Sequence, residues 1–193
     1  MRAPLVGVIT LGSAVSALPG HPLPMDIESL IAVPGVLVIV EGVTRDAALD
    51  GLAGDSLRAA MEDRLHEAGI PVLTEAQWRE VIGNPTLQLS LQLLKPSPHL
   101  YIYSGTLELR QLTVLARDST KAAYTRTWSA GNLLGTVPTA RLPALRDDVL
   151  ELVEQFVETY QRVNRGAPPG RAAPVRSGTL SPTLGEVARQ DVR

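Results

Sequence analysis

Two hydrophobic periods divide the chain. Val36-Leu37-Val38-Ile39-Val40 is a continuous, mostly β-branched run bounded by Pro34-Gly35 and Gly42, the form of a central strand buried on both faces. After a polar, glycine-bearing loop over 43–54, apolar residues recur at spacings of three and four: Leu57, Ala60, Met61, Leu65 and Ala68. This spacing predicts one buried helical stripe, with Asp55 or Ser56 as the N-terminal cap and Gly69 ending the helix in the left-handed conformation. Ile70-Pro71-Val72-Leu73 then reads as a short strand whose proline has no N–H to give a ladder and so belongs at a start or an edge. Strand, helix and strand in close succession predict a right-handed parallel crossover.

Thr74 and Gln77 stand three apart in the form of a capping box, which starts a short helix through Trp78 that stops before Gly83-Asn84-Pro85. From Thr86 the period becomes two. Leu87, Leu89, Leu91 and Leu93 alternate with Gln88, Ser90 and Gln92, and 95–99 form the turn. Tyr101, Tyr103, Gly105, Leu107 and Leu109 continue the alternation, and the apolar phase then flips to Leu112 and Val114, which predicts a bulge near Gln111. A polar hairpin loop over 117–121 returns the chain as a strand over 123–130, with Tyr124, Arg126 and Trp128 opposite Thr125 and Thr127. A loop carrying Gly131, Gly135 and Pro138 leads to a helix from Pro143, whose stripe is Leu145, Val149, Leu152, Val153, Phe156, Val157 and Tyr160. Asp147 and Asp148 sit near its start, where the helix dipole favours acids.

These elements predict an α+β two-layer sandwich with a mixed sheet of about four to five strands, a βαβ start followed by an antiparallel meander, and both long helices on one face. The organisation expected is a signal peptide over 1–17, an N-terminal arm over 18–34, a single domain over 35–164 and a disordered tail over 165–193. The leader reading rests on Arg2, the apolar run after it and the small-residue pattern Val15-Ser16-Ala17, with cleavage after Ala17. It makes the protein periplasmic or secreted. The alternative is translation from Met25, which makes it cytoplasmic.

The composition narrows the chemistry. The 193 residues carry 18 basic and 20 acidic side chains, a formal charge of -2, so no basic field collects nucleic acid. The absence of cysteine removes disulfides, thiolate nucleophiles and zinc-thiolate sites. No stretch reaches the roughly 18 to 20 apolar residues of a membrane span.

His66 lies on the first long helix with Glu62 and Asp63 within helical reach, an arrangement that can polarise water or hold a metal. His99 sits in the proline-rich turn, and His21 lies in the leader region. A small hydrolase or metal-dependent enzyme using His66 or His99 with nearby carboxylates is therefore one reading. Asp147, Asp148, Glu151, Glu154 and Glu158 fall opposite the apolar stripe of the last helix, the pattern of a solvated face. Asn132 with Gly131 and Gly135 lacks the residues of a phosphate cradle. The other reading is a non-catalytic binding or adaptor domain with no cofactor and no metal. In it Tyr101, Tyr103, Arg126 and Trp128, with Tyr124 and Arg110 nearby, form a platform on the meander for an envelope protein, a peptide or a lipid; the competing reading of the same aromatics is core or cross-strand packing. An exposed edge strand offers the same partners a backbone ladder.

Arg64-Leu65-His66-Glu67-Ala68-Gly69-Ile70-Pro71-Val72-Leu73, Tyr101-Ile102-Tyr103, Thr127-Trp128-Ser129 and Arg146-Asp147-Asp148 together resemble an uncharacterised group of small exported bacterial proteins. The resemblance spans residues 52 to 164 and implies export without implying an activity. The topology is also similar to small mixed-sheet envelope domains that act as adaptors in outer-membrane assembly or transport, an analogy of fold alone.

Overall fold

The computed structural model describes residues 27–165. The expected leader, the start of the arm and all of the tail but Arg165 lie outside the described residues. The fold is α+β, built on one open mixed sheet of four strands: β1 (Leu37–Glu41), β2 (Thr86–Ser97), β3 (Leu100–Leu115) and β4 (Asp118–Pro138), in the order β1-β2-β3-β4. β1 runs parallel to β2, and β2, β3 and β4 form the antiparallel meander. The helices are α1 (Arg45–Leu49), α2 (Gly54–Glu67), α3 (Glu75–Glu80) and α4 (Leu145–Asn164), the last entered through a 3-10 turn over Thr139–Ala144.

Alternation sorts the sheet into two faces. Leu87, Leu89 and Leu91 of β2, Tyr101, Leu107 and Leu109 of β3 and Trp128 of β4 are buried on the inner face. α2 covers it with Leu57, Met61 and Leu65, and α4 with Val149, Leu152, Val153 and Phe156. Trp128 meets Phe156 edge-on at a centroid distance of 5.3 Å. Each large side chain buried in this layer contributes about 1.5–3 kcal/mol. Arg64 of α2 grips Glu154 of α4 with Nε at 2.7 Å and Nη2 at 2.6 Å, locking the two long helices side by side. Gln88, Glu108, Arg110 and Arg126 point to the far face, where Trp78 of α3 and Tyr124 both reach the hydroxyl of Thr86.

Several local expectations meet the structure directly. The capping box at Thr74 and Gln77 has both of its hydrogen bonds, and Gly69 adopts φ +74° after α2. The loop expected over 43–54 contains α1, capped by the Thr44 hydroxyl accepting from the Ala47 N–H. α2 begins at Gly54 after Ala53, without a side-chain cap, instead of at Asp55 or Ser56. Val36 to Val40 is not a central strand. β1 is the edge of the sheet, because the strand expected at 70–73 contracts to a single parallel bridge between Val36 and Val72. Pro71 has no N–H, so only its carbonyl joins, accepting from Val36, while Leu73 N–H donates back to the Val36 carbonyl.

The meander is longer than its apolar pattern suggests. β4 continues through Gly131 and Gly135 to Pro138, where a glycine loop was expected. Gly135 belongs in the strand because a Cβ there would stand 2.9 Å from the Tyr103 hydroxyl. The bulge expected near Gln111 is present between Leu109 and Arg110, with its extra residue, Thr127, on β4. β3 therefore keeps its alternation, and Leu112 and Val114 face outward, exposed. Residues 27–34 pack as part of the core: Leu30 is fully buried, and Asn164 holds this segment through the Leu30 carbonyl and the Ala32 N–H.

Candidate functional site

A strand sends the backbone groups of successive residues to opposite neighbours. In β1, Leu37 N–H donates to the Pro85 carbonyl, on the β2 side, whereas Val36 exchanges both of its bonds with Pro71 and Leu73 on the other. The backbone groups of Leu37, Ile39 and Glu41 therefore serve the ladder with β2, and those of Val36, Val38 and Val40 point away from β2. The chain leaves this edge at Leu73 to enter α3. Among the described residues nothing pairs with the N–H and C=O groups of Val38 and Val40.

This edge is the floor of a cleft of about 780 Å³, bounded by Leu37 to Val40, α1, α2 and the segment 72–75. α2 runs back along β1. Its first residue, Gly54, abuts Val43 just past the strand, and its far end leads to the Val72 bridge at Val36. The wall it presents carries Arg58, Glu62 and His66, each one helical turn from the next. Glu62 is half-buried and makes no ion pair among the described residues, and Arg58 reaches only Asp55, at 3.6 Å.

A polar clamp ties α1, which lines the cleft, to the sheet. Asp50, the C-cap of α1, accepts from Lys95 Nζ and from the Tyr101 hydroxyl, both at 2.6 Å on the same oxygen. The hydrogen bonds from Lys95 and then Tyr101 hold the Asp50 carboxyl below the usual carboxylate range. The bond to Asp50 raises the Lys95 ammonium, and burial followed by the Asp50 bond raises the Tyr101 phenol. The clamp fixes α1, whose Arg45 and Ala48 line the cleft, to strands β2 and β3.

The aromatic platform does not assemble as one surface. Tyr101 is fully buried with its hydroxyl on Asp50, and Trp128 is covered by Phe156. Tyr103 packs on the inner face against the core, while Arg126 lies on the far face, paired with Glu108 at 3.2 Å. Arg110 lies beside it, over the Tyr124 ring at 5.5 Å. The alternation places Arg126 and Trp128 on opposite faces because the bulge residue Thr127 lies between them. His66 and Glu62 share the cleft, whereas His99 is exposed in the β2–β3 turn, where its carbonyl accepts from Thr139. Among the described residues no group of three His, Asp or Glu side chains is arranged to hold a metal ion. In the acidic series on α4, Glu154 is tied to Arg64.

Arg58, Asp50 and Lys95 are absent from the residues that the sequence singles out. The spacing of Arg58, Glu62 and His66 is legible as one helix face, but only the edge position of β1 turns that face into a wall. The chain matches no family model and no curated protein. Among the described residues no helix is long and apolar enough to cross a membrane.

Proposed function

We propose that this protein is an exported, non-catalytic adaptor domain of the bacterial cell envelope that binds an extended segment of another envelope protein along the outer edge of β1. The observation that carries this reading is that the outward-pointing backbone groups of Val38 and Val40 have no partner among the described residues and lie over a walled cleft. Added strands gain affinity from such a ladder and specificity from the side chains around it. The second sheet edge supports this less well. β4 is interrupted by register shifts, which blunt an edge, and its Thr127 carbonyl is taken by the Ser29 hydroxyl. The leader-like residues 1–17 support export.

The test is in-cell photocrosslinking from position 58 in the cleft and, as a control, from position 134 on the far face. An adduct with an envelope protein from position 58 that disappears on Val40→Pro supports the reading, since proline removes the outward N–H and leaves the β2 ladder intact. A crosslink confined to position 134 contradicts it. One observation favours an enzyme instead: His66 and Glu62 face the same cleft. Turnover by the purified protein that is lost on His66→Ala establishes that reading and displaces the adaptor.

A further inference from the structure

The α2 wall is spaced to read the side chains of a strand lying on β1. One helical turn of four residues rises about 6.0 Å, and two residues of a strand advance about 6.6 Å. Over three positions the two rulers differ by only about 1.2 Å. Alternate residues of a strand on the β1 edge therefore come opposite His66, Glu62 and Arg58 in turn. The His66 imidazole offers a ring N–H whether neutral or charged, Glu62 offers acceptors, and the Arg58 guanidinium offers a fork of donors. The residues between them project beside Leu37 and Ile39, which are half-buried on the other side of β1.

We infer that the occupant of this edge, on the docking reading above, is an extended segment of another protein with the pattern acceptor-x-base-x-acid, in which x is β-branched or apolar. In the direction parallel to β1 the acceptor faces His66, the base Glu62 and the acid Arg58. An antiparallel strand carries the same pattern in reverse. A second copy of β1 is a poor fit, because its own Val38 and Val40 would meet the charged wall. Within this sequence, the stretches 1–26 and 166–193 contain no Lys or Arg flanked two residues away on both sides by such acceptors, so neither stretch fits this pattern.

The test uses the full chain, isotope-labelled, and two blocked peptides, Thr-Glu-Val-Lys-Val-Glu-Thr and its charge-reversed form Thr-Lys-Val-Glu-Val-Lys-Thr. Binding is followed through the backbone amides of Val38 and Val40 at low salt. The first peptide is expected to bind roughly 5-fold or more tighter, the combined effect of several surface-strength charge contacts. The double swap Arg58→Glu with Glu62→Lys, which conserves net charge on a solvent-facing wall, is expected to reverse the preference. Equal binding of both peptides at Val38 and Val40 overturns the charge pattern while leaving edge docking in place. If neither peptide perturbs these amides at millimolar concentration, or if both perturb only the far face around Ile102 and Leu134, the pattern and the docking edge fail together.

Discussion

The Tyr101 hydroxyl donates to Asp50 Oδ2 at 2.6 Å, joining β3 to the end of α1 across 51 residues of sequence. The contact makes Tyr101 a buried strut, and it ties α1, which lines the β1 cleft, to β3. Lys95 shares the same oxygen at 2.6 Å, so one carboxylate anchors α1 to two strands.

The clamp has a pH signature. A carboxyl held below its ordinary range contributes stability above that range and loses it as pH falls through the lowered value. Lys95 and Tyr101 are raised, so their contributions are present at lower pH and are lost as pH climbs through their raised values. Asp50→Asn is expected to lower the urea midpoint at neutral pH and to flatten its fall on acidification. Parallel acid limbs for the two proteins would show that Asp50 is not coupled to folding.

Residues 27–34 are expected to behave as core. Leu30 is fully buried, and Tyr160 and Asn164 bond to the carbonyls of Val33 and Leu30. Leu30→Ala is expected to cost about 2–5 kcal/mol in equilibrium unfolding, the range of buried leucine truncations. A change within experimental error would mean that this segment docks without contributing to stability.

Two glycines separate conformational strain from close approach. Gly42 and Gly69 have φ of +84° and +74°, but a Cβ at Gly42 would stand 1.7 Å from the Leu91 carbonyl oxygen, while nothing lies within 4 Å of one at Gly69. Gly69→Ala is expected to cost only the left-handed penalty, about 1–2 kcal/mol. Gly42→Ala is expected to cost distinctly more, because backbone must move at the end of the β1–β2 ladder. Chemical denaturation of both variants checks the order, and equal losses would refute the close approach.

Much of this architecture is local and was legible. The leucine alternation after Thr86 marks the inner face, the three-and-four spacing from Leu57 and Leu145 marks the two long helices, and Thr74 with Gln77 marks a cap. What escaped depends on relations between distant elements. An apolar run such as Val36 to Val40 reports hydrophobicity and not the number of neighbouring strands, so it reads the same at an edge as at a centre. Gly131 and Gly135 resemble loop residues until Tyr103 is seen to lie across Gly135. The Asp50 clamp has no local signal, since its partners lie 45 and 51 residues away. Edge recruitment of a partner was visible as a possibility of any exposed strand, but which edge, and which wall faces it, required the topology.

The most direct measurement is amide hydrogen exchange at Val38 and Val40, in the protein alone and in complex with the envelope protein captured at position 58. Docking along β1 predicts fast exchange at both amides in the free protein and marked protection in the complex, with Leu37, Ile39 and Glu41 protected in both states by β2. Unchanged exchange at Val38 and Val40 on complex formation, with new protection elsewhere on the sheet, would contradict it.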